Sequence, residues 1–199
     1  MKEMLGEEYA AFYASYDLPK YQALRINPLK TERDTFLLQA PFSLNRVPWT
    51  TNGYYYSGND QPGRHPYHEA GVYYIQEPSA MAPAEYLMAE PGERILDLCA
   101  APGGKSSQIA CSMQGEGLIV CNEIHPARAK ILSENIERMG VCNALVTNET
   151  PQKLSDNFRE YFDRILVDAP CSGEGMFRNH PKDAALRCGK NNARAGLAD

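Results

Sequence analysis

No apolar run in this 199-residue sequence approaches the roughly 18 residues needed to span a bilayer, and its opening, MKEMLGEEYA, has no basic stretch followed by an apolar core. The expectation is a cytoplasmic protein with no membrane partner. There is no low-complexity tract and no repeat at solenoid periods, which argues against disorder and against a stacked-repeat architecture. Also absent is any CxxC pair. The six cysteines, at 99, 111, 121, 142, 171 and 188, stand 10 to 29 residues apart, so neither a zinc site nor a disulfide framework is indicated. Free thiols and no metal are expected. A surplus of positive charge is missing too, since 20 Lys and Arg face 25 Asp and Glu for a net charge of −5. Bulk charge therefore gives no footprint for a nucleic acid, and any such partner must be argued from motifs.

What is present suits a globular α/β protein, with hydrophobic residues at 43% and charged residues at 23%. From about residue 93, short aliphatic runs alternate with helix-like stretches, the pattern of βαβ units and a parallel sheet. ERILDL, GLIVCNE, ALVTN and DRILVDAP read as strands. KSSQIACSM, HPARAKILSENIERMG and PQKLSDNFREYF read as helices, the second with Ile131, Ile136 and Met139 spaced to face a core, Pro126 in its first turn and Gly140 at its end. SAMAPAEYLMA, opened by Pro78 and Ser79, forms a further helical stretch that covers one face of the sheet.

The sequence divides into residues 1–70, a small N-terminal α+β region of strand-like pieces between proline and glycine turns; 71–178, an incomplete Rossmann-like domain; and 179–199, an atypical tail without a strand-like run. In a doubly wound sheet of order 3-2-1-4-5, the fourth strand would lie beside the first and await a fifth. The chain is expected to be cut short there, with an uncovered apolar edge prone to aggregation.

The chemistry-bearing residues fall at strand ends. LDLCAAPGGKSS places Asp97 near the end of the first strand, then Cys99, Ala100, Ala101, Pro102, Gly103, Gly104 and Lys105, then a helix start. Ligands of open α/β sheets sit at such strand tips, where glycines allow close backbone approach and the N–H groups of a helix start face the ligand. A P-loop is not indicated, because GxxxxGK would require a glycine at position 99, which is Cys99. Glu123 follows the second strand, about 20 residues on from the glycines, where a carboxylate accepts hydrogen bonds from ribose hydroxyls; the alternative is a carboxylate favoured by a helix N-terminus. Lys105 opposes the dipole of the helix it opens, and a carboxylate contact is one reason for it. DAPCSGEGMF sets Asp168 and Cys171 at the tip of the fourth strand. A lone cysteine there is either a thiolate nucleophile or a small buried apolar residue.

Taken together, LDLCAAPGGKSSQIA, NEIHPARAKILSENIERMG and FDRILVDAPCSGEGMFR resemble the bacterial members of the Nop/Sun (Fmu-type) family of RNA 5-methylcytosine methyltransferases, while ALRINPLK and HPYHEAGVYYIQEPSAM resemble its N-terminal region. The resemblance runs over about residues 9 to 178, and GEGMFR points to its ribosomal-RNA branch. It implies a Rossmann-like methyltransferase fold, S-adenosyl-L-methionine as cofactor and RNA as partner, ribosomal RNA first and transfer RNA second. It further implies that Cys99 to Lys105 hold the methionine part of the cofactor, that Glu123 holds the ribose, and that Asp168 lies at the methyl-donor and cytosine site. Thr150 stands where the family usually has an aspartate, which implies weaker adenine recognition.

Carbon 5 of cytosine accepts a methyl group only after a thiolate adds at carbon 6, and a base then removes the proton to release the enzyme. In the family that thiolate belongs to a TC motif on a fifth strand, and the cysteine matching Cys171 assists product release. No TC dipeptide occurs in this sequence, and Cys188 follows no strand. Three readings follow: an RNA cytosine methyltransferase chain lacking its nucleophile, truncated or frameshifted before the TC motif; a non-catalytic module binding cofactor, RNA or a partner; or an enzyme in which Cys171 attacks directly, as the proline-cysteine nucleophile of DNA cytosine methyltransferases does. His65 and His68 in RHPYH have no further ligand at metal spacing and read as a turn. Tyr54, Tyr55 and Tyr56 read as strand residues of a core rather than a stacking platform for bases.

Overall fold

The structure is a computed structural model that describes residues 2–18 and 20–169. Residues 2–18 belong to one unit, with short helices α1 (Lys2–Leu5) and α2 (Tyr9–Ala14) each followed by a 3-10 turn. Aromatic spacing holds α2 together: Tyr9 stacks on Tyr13 one turn on, and Phe12 meets Tyr16 edge-on.

Residues 21–169 form the other unit, built from two four-stranded sheets. The first sheet is antiparallel, with strands β1 (Ala23–Ile26), β2 (Leu44–Arg46), β3 (Gly53–Tyr56) and β4 (Tyr73–Ile75) in the order β2-β3-β1-β4. Helices α3 (Arg33–Gln39) and α4 (Pro66–Glu69) lie in its connections. Leu24, Ile26, Phe36, Tyr54 and Tyr73 make its core, so the tyrosine run contributes packing, with Tyr54 buried and Tyr55 and Tyr56 half-buried. His65 caps α4, its Nδ1 accepting from the Tyr67 N–H.

Helix α5 (Ala82–Tyr86) then leads into the parallel sheet of β5 (Arg94–Asp97), β6 (Leu118–Asn122), β7 (Ala144–Thr147) and β8 (Arg164–Leu166). Its order is β7-β6-β5-β8, the 3-2-1-4 order read from the sequence. The connecting helices are α6 (Gly104–Ser112), α7 (Pro126–Arg138) and α8 (Pro151–Asn157). This is a Rossmann-like methyltransferase fold carrying an N-terminal α+β region. Among the described residues β8 has no neighbour on its outer side, and Ile165 and Val167 are 53% and 55% exposed.

Two sequence expectations are corrected. Ile131 is 48% exposed, and the inward stripe of α7 is Leu132, Ile136 and Met139. Those three recur at steps of four and three along one helical face, whereas Ile131 sits a residue earlier and turns away. The third helix of the parallel domain stops at Asn157 rather than Phe162. Phe158 and Phe162 leave the helical path to pack with Leu96, Val120 and Leu154 beneath the sheet, a gain that outweighs one more turn.

The two sheets are joined through polar groups as well as apolar ones. The Asn27 side-chain amide donates to the carbonyls of Gly71 and Met139, both at 2.8 Å. Gly71 must be glycine on two counts: its φ is +70°, and a Cβ there would lie 2.1 Å from the Arg138 carbonyl oxygen. Arg25, an arginine in an otherwise apolar strand, is 1% exposed. Its Nη2 donates to the Gly104 carbonyl at 3.0 Å and to Ser107 Oγ at 2.8 Å, and its Nε donates to Gln76 Oε1 at 3.1 Å. Burial lowers the Arg25 pKa, and these acceptors compensate a charge that has no carboxylate in contact among the described residues.

Candidate cofactor-binding site

Parallel pairing aligns Asp97 of β5 with Cys121 of β6 on one side and Leu166 of β8 on the other, so all three strands end at one level. Asn122, 1% exposed, ties the tip of β6 to those of β5 and β7. Its side-chain amide donates to the carbonyls of Leu98 and Glu149, and its carbonyl oxygen accepts from Thr147 Oγ1 and the Glu149 N–H. Above the tips lies a cleft of about 240 Å³. It brings together eight of the residues expected from sequence: Asp97, Cys99, Ala100, Ala101, Pro102, Gly104, Lys105 and Asp168. Its far wall comes from the end of β4 and the segment that follows it, through Tyr74, Ile75, Gln76, Glu77 and Ala80.

The glycines are needed where they stand. Gly103 has φ +107°, outside the range a side chain tolerates, and precedes the first residue of α6. At Gly104 a Cβ would stand 3.2 Å from Tyr74 Cε1 and 3.5 Å from Gln76 Cδ, so glycine keeps that part of the cleft open.

Lys105 Nζ reaches Asp168 Oδ2 at 2.6 Å across the cleft, which supplies the reason for a cation in the first turn of α6. Asp97 is buried, accepts from Ser106 Oγ at 2.7 Å, and has its pKa pushed up to about 6, first by burial, with Ser106 and Lys105 opposing. The Cys99 thiol is pushed up by burial and by the carboxylates of Asp97, Glu123 and Asp168, which disfavours its thiolate form.

Of the expected residues, Gly103, whose Cβ position faces Leu132 and Asn135, does not line this cleft, nor do Glu123 and Thr150, which stand at neighbouring tips. Glu123, 2% exposed, accepts from the His125 N–H through Oε1 at 3.0 Å and pairs with Arg128 through Oε2 at 3.0 Å. Thr150 caps α8, its Oγ1 accepting from the Lys153 N–H at 3.3 Å. Cys171 and Cys188 lie outside the described residues. Among the described residues no group of His, Cys, Asp and Glu is placed to hold a metal ion.

The wall from Tyr74 to Ala80, and the side chains of Arg25, Arg128 and Asn135 that grip the glycine loop, were not found from sequence. The one local signal was an arginine inside ALRI; the rest depends on contacts between segments up to about 80 residues apart.

The parallel sheet has the Rossmann-like fold of methyltransferases, and the cleft lies at the strand tips where ligands of such sheets bind. The sequence profile of the 16S rRNA methyltransferase RsmB/F family matches residues 84–194, and that of the N-terminal domain of 16S rRNA methyltransferase RsmF matches residues 1–78. The chain belongs to the 16S rRNA methyltransferase RsmB/F family. It is 41% identical over 179 residues to "Ribosomal RNA small subunit methyltransferase F" of Citrobacter koseri, covering 85% of this chain and 37% of that protein. The protein of the same name from Erwinia tasmaniensis is 39% identical over 199 residues, covering 94% and 41%. The chain thus spans about two fifths of the length of these relatives. Among solved structures, a methyltransferase homolog protein from Pyrococcus horikoshii superposes with TM-score 0.78 at 31% identity, covering 92% of this chain and 61% of that one. NSun6 from the same organism shares the fold, with TM-score 0.75 at 20% identity, covering 87% and 69%.

Proposed function

We propose that this chain is the S-adenosyl-L-methionine-binding portion of an enzyme that methylates carbon 5 of cytosine in ribosomal RNA, acting in the cytoplasm. The observation that carries this reading is the Lys105–Asp168 pair set over the glycine loop beside Asp97. S-adenosylmethionine has a carboxylate, an ammonium and a sulfonium. The residues present fit it: one cation and the amide-rich start of α6 for the carboxylate, and the carboxylates of Asp97 and Asp168 for the two positive centres. The cofactor supplies an electrophilic methyl group when bound.

The chain's own residues orient and select. Cys99 to Lys105 hold the amino-acid end. Glu123, its carboxylate held in place by the His125 N–H and by Arg128, is assigned to the ribose. Thr150 uses its hydroxyl oxygen to cap α8 and so offers the adenine one donor and no charge, which supports a weaker hold on that ring. Asp168 faces the reacting end, and Cys171, three residues on in the sequence, is assigned to release of the methylated base.

The test is incubation of the protein with 5-fluorocytosine-containing ribosomal RNA and labelled S-adenosylmethionine. The expected result is cofactor binding without a covalent RNA adduct, because the sequence holds no TC nucleophile. An adduct lost in Cys171→Ala would instead make Cys171 the nucleophile. Failure to bind the labelled cofactor would overturn the reading.

A further inference from the structure

Helix α7 presents Arg128, Leu132 and Asn135 at intervals of four and three, one face of the helix, and that face lies against the back of the glycine loop. Leu132 Cδ1 and Asn135 Cβ are the atoms that a Cβ on Gly103 would meet, at 3.2 and 3.5 Å. The polar members of this face grip the loop's carbonyl oxygens. Arg128 Nη2 donates to the Ala101 carbonyl at 2.8 Å, and Asn135 Nδ2 donates to the Pro102 carbonyl at 2.8 Å. The amide orientation of Asn135 is set from both ends, since its Oδ1 accepts from Arg138 Nη2 at 3.0 Å. The other guanidinium nitrogen of Arg128, Nη1, pairs with Glu123 Oε2 at 3.0 Å.

We propose that Arg128 and Asn135 are positioning residues for the cofactor, with Arg128 fixing the glycine loop and the Glu123 carboxylate at one set distance through a single planar guanidinium. The inference rests on the cofactor reading above. Two chemically different parts of the ligand, its amino-acid end and its ribose, must be met at once, and a rigid two-pronged donor between their binding elements sets that spacing before the ligand arrives. Holding the carbonyls of Ala101 and Pro102 toward α7 also keeps their oxygens from turning into the cleft, where they would oppose an anionic carboxylate.

Equilibrium dialysis of the full chain against labelled S-adenosylmethionine, paired with thermal unfolding of each variant, tests this. Asn135→Ala puts a good helix former on a partly exposed position, so the melting temperature should hold while Kd rises about fivefold, the size of one hydrogen bond. Asn135→Asp removes the same donor and sets lone pairs against the Pro102 carbonyl, so it should weaken binding more than alanine does. Arg128→Lys keeps the charge beside Glu123 but cannot span both acceptors; Kd should rise about tenfold with little change in melting temperature. If Arg128 merely neutralises Glu123, lysine restores binding and the proposal is overturned. It is also overturned if both alanine and lysine variants bind as the wild type does, or if their losses track a fall in melting temperature. Absence of binding by the wild type overturns the cofactor reading itself, a different outcome from any of these.

Discussion

Asp97→Asn is expected to stabilise the ligand-free protein at neutral pH while weakening its hold on S-adenosylmethionine. Asp97 is 1% exposed, and burial lifts its pKa from 3.8 to about 6. At about 1.4 kcal/mol per pKa unit, keeping this carboxylate ionised at pH 7 costs the fold about 3 kcal/mol relative to its protonated form. Asparagine removes that cost and keeps an acceptor for Ser106 Oγ, but its amide group opposes the Cys99 N–H, which loses about 1 kcal/mol or more. The net gain at pH 7 is then about 1–2 kcal/mol. Because the folded pKa lies above the unfolded one, the native state binds the extra proton between about pH 4 and 6. Wild-type stability from this group is fully present below about pH 4 and is lost as pH rises through about 6, whereas the variant has no such dependence. Urea unfolding followed by the fluorescence of Trp49, the single tryptophan, gives both curves across pH 4.5 to 7.5. Stability curves that run parallel over this range would refute the reasoning, as would an asparagine variant less stable than the wild type at pH 7.

Three further substitutions probe the same frame. Gly103→Ala forces a side chain into φ +107° and brings its Cβ to 3.2 Å from Leu132 Cδ1, so urea unfolding should show a loss of about 1–3 kcal/mol together with loss of cofactor binding. Arg25→Met leaves the buried Gln76 Oε1 without its Arg25 Nε donor and releases the Gly104 carbonyl; despite the relief of a buried charge, a loss of about 2–4 kcal/mol is expected in the same assay. Thr150→Asp keeps a strong N-cap for α8, so stability should change by only a few tenths of a kcal/mol, while restoring a charged acceptor at the adenine end should lower the cofactor Kd measured by dialysis.

Much of the parallel domain was legible in the sequence because its signals are local. The aliphatic runs of β5, β6, β7 and β8 alternate with helical stretches, with Pro126 and Gly140 marking the ends of α7 and Pro151 the start of α8, and the doubly wound arrangement of such units gives their order. The glycine loop and Asp168 were legible for the same reason, since a strand end followed by small residues is a contiguous pattern. Ile131 and the end of α8 were misread because packing decided them: Leu132 takes the core position next to Gly103, and Phe158 and Phe162 are drawn under the sheet. The far wall of the cleft is invisible in the sequence because Tyr74 and Gln76 reach it from the end of β4 and the residue after it, in a different sheet region. A side chain such as Arg128, read alone, is a surface arginine on an amphipathic helix; only the folded chain puts Ala101 and Glu123 within reach of its two prongs.

Isothermal titration of the purified chain with S-adenosylhomocysteine bears most directly on the claim that the strand-tip cleft is a methyl-donor site. Saturable one-to-one heat, abolished in Gly103→Ala and weakened when Lys105 is replaced by methionine, is the predicted result. No heat with the wild type, or undiminished heat with both variants, would contradict it.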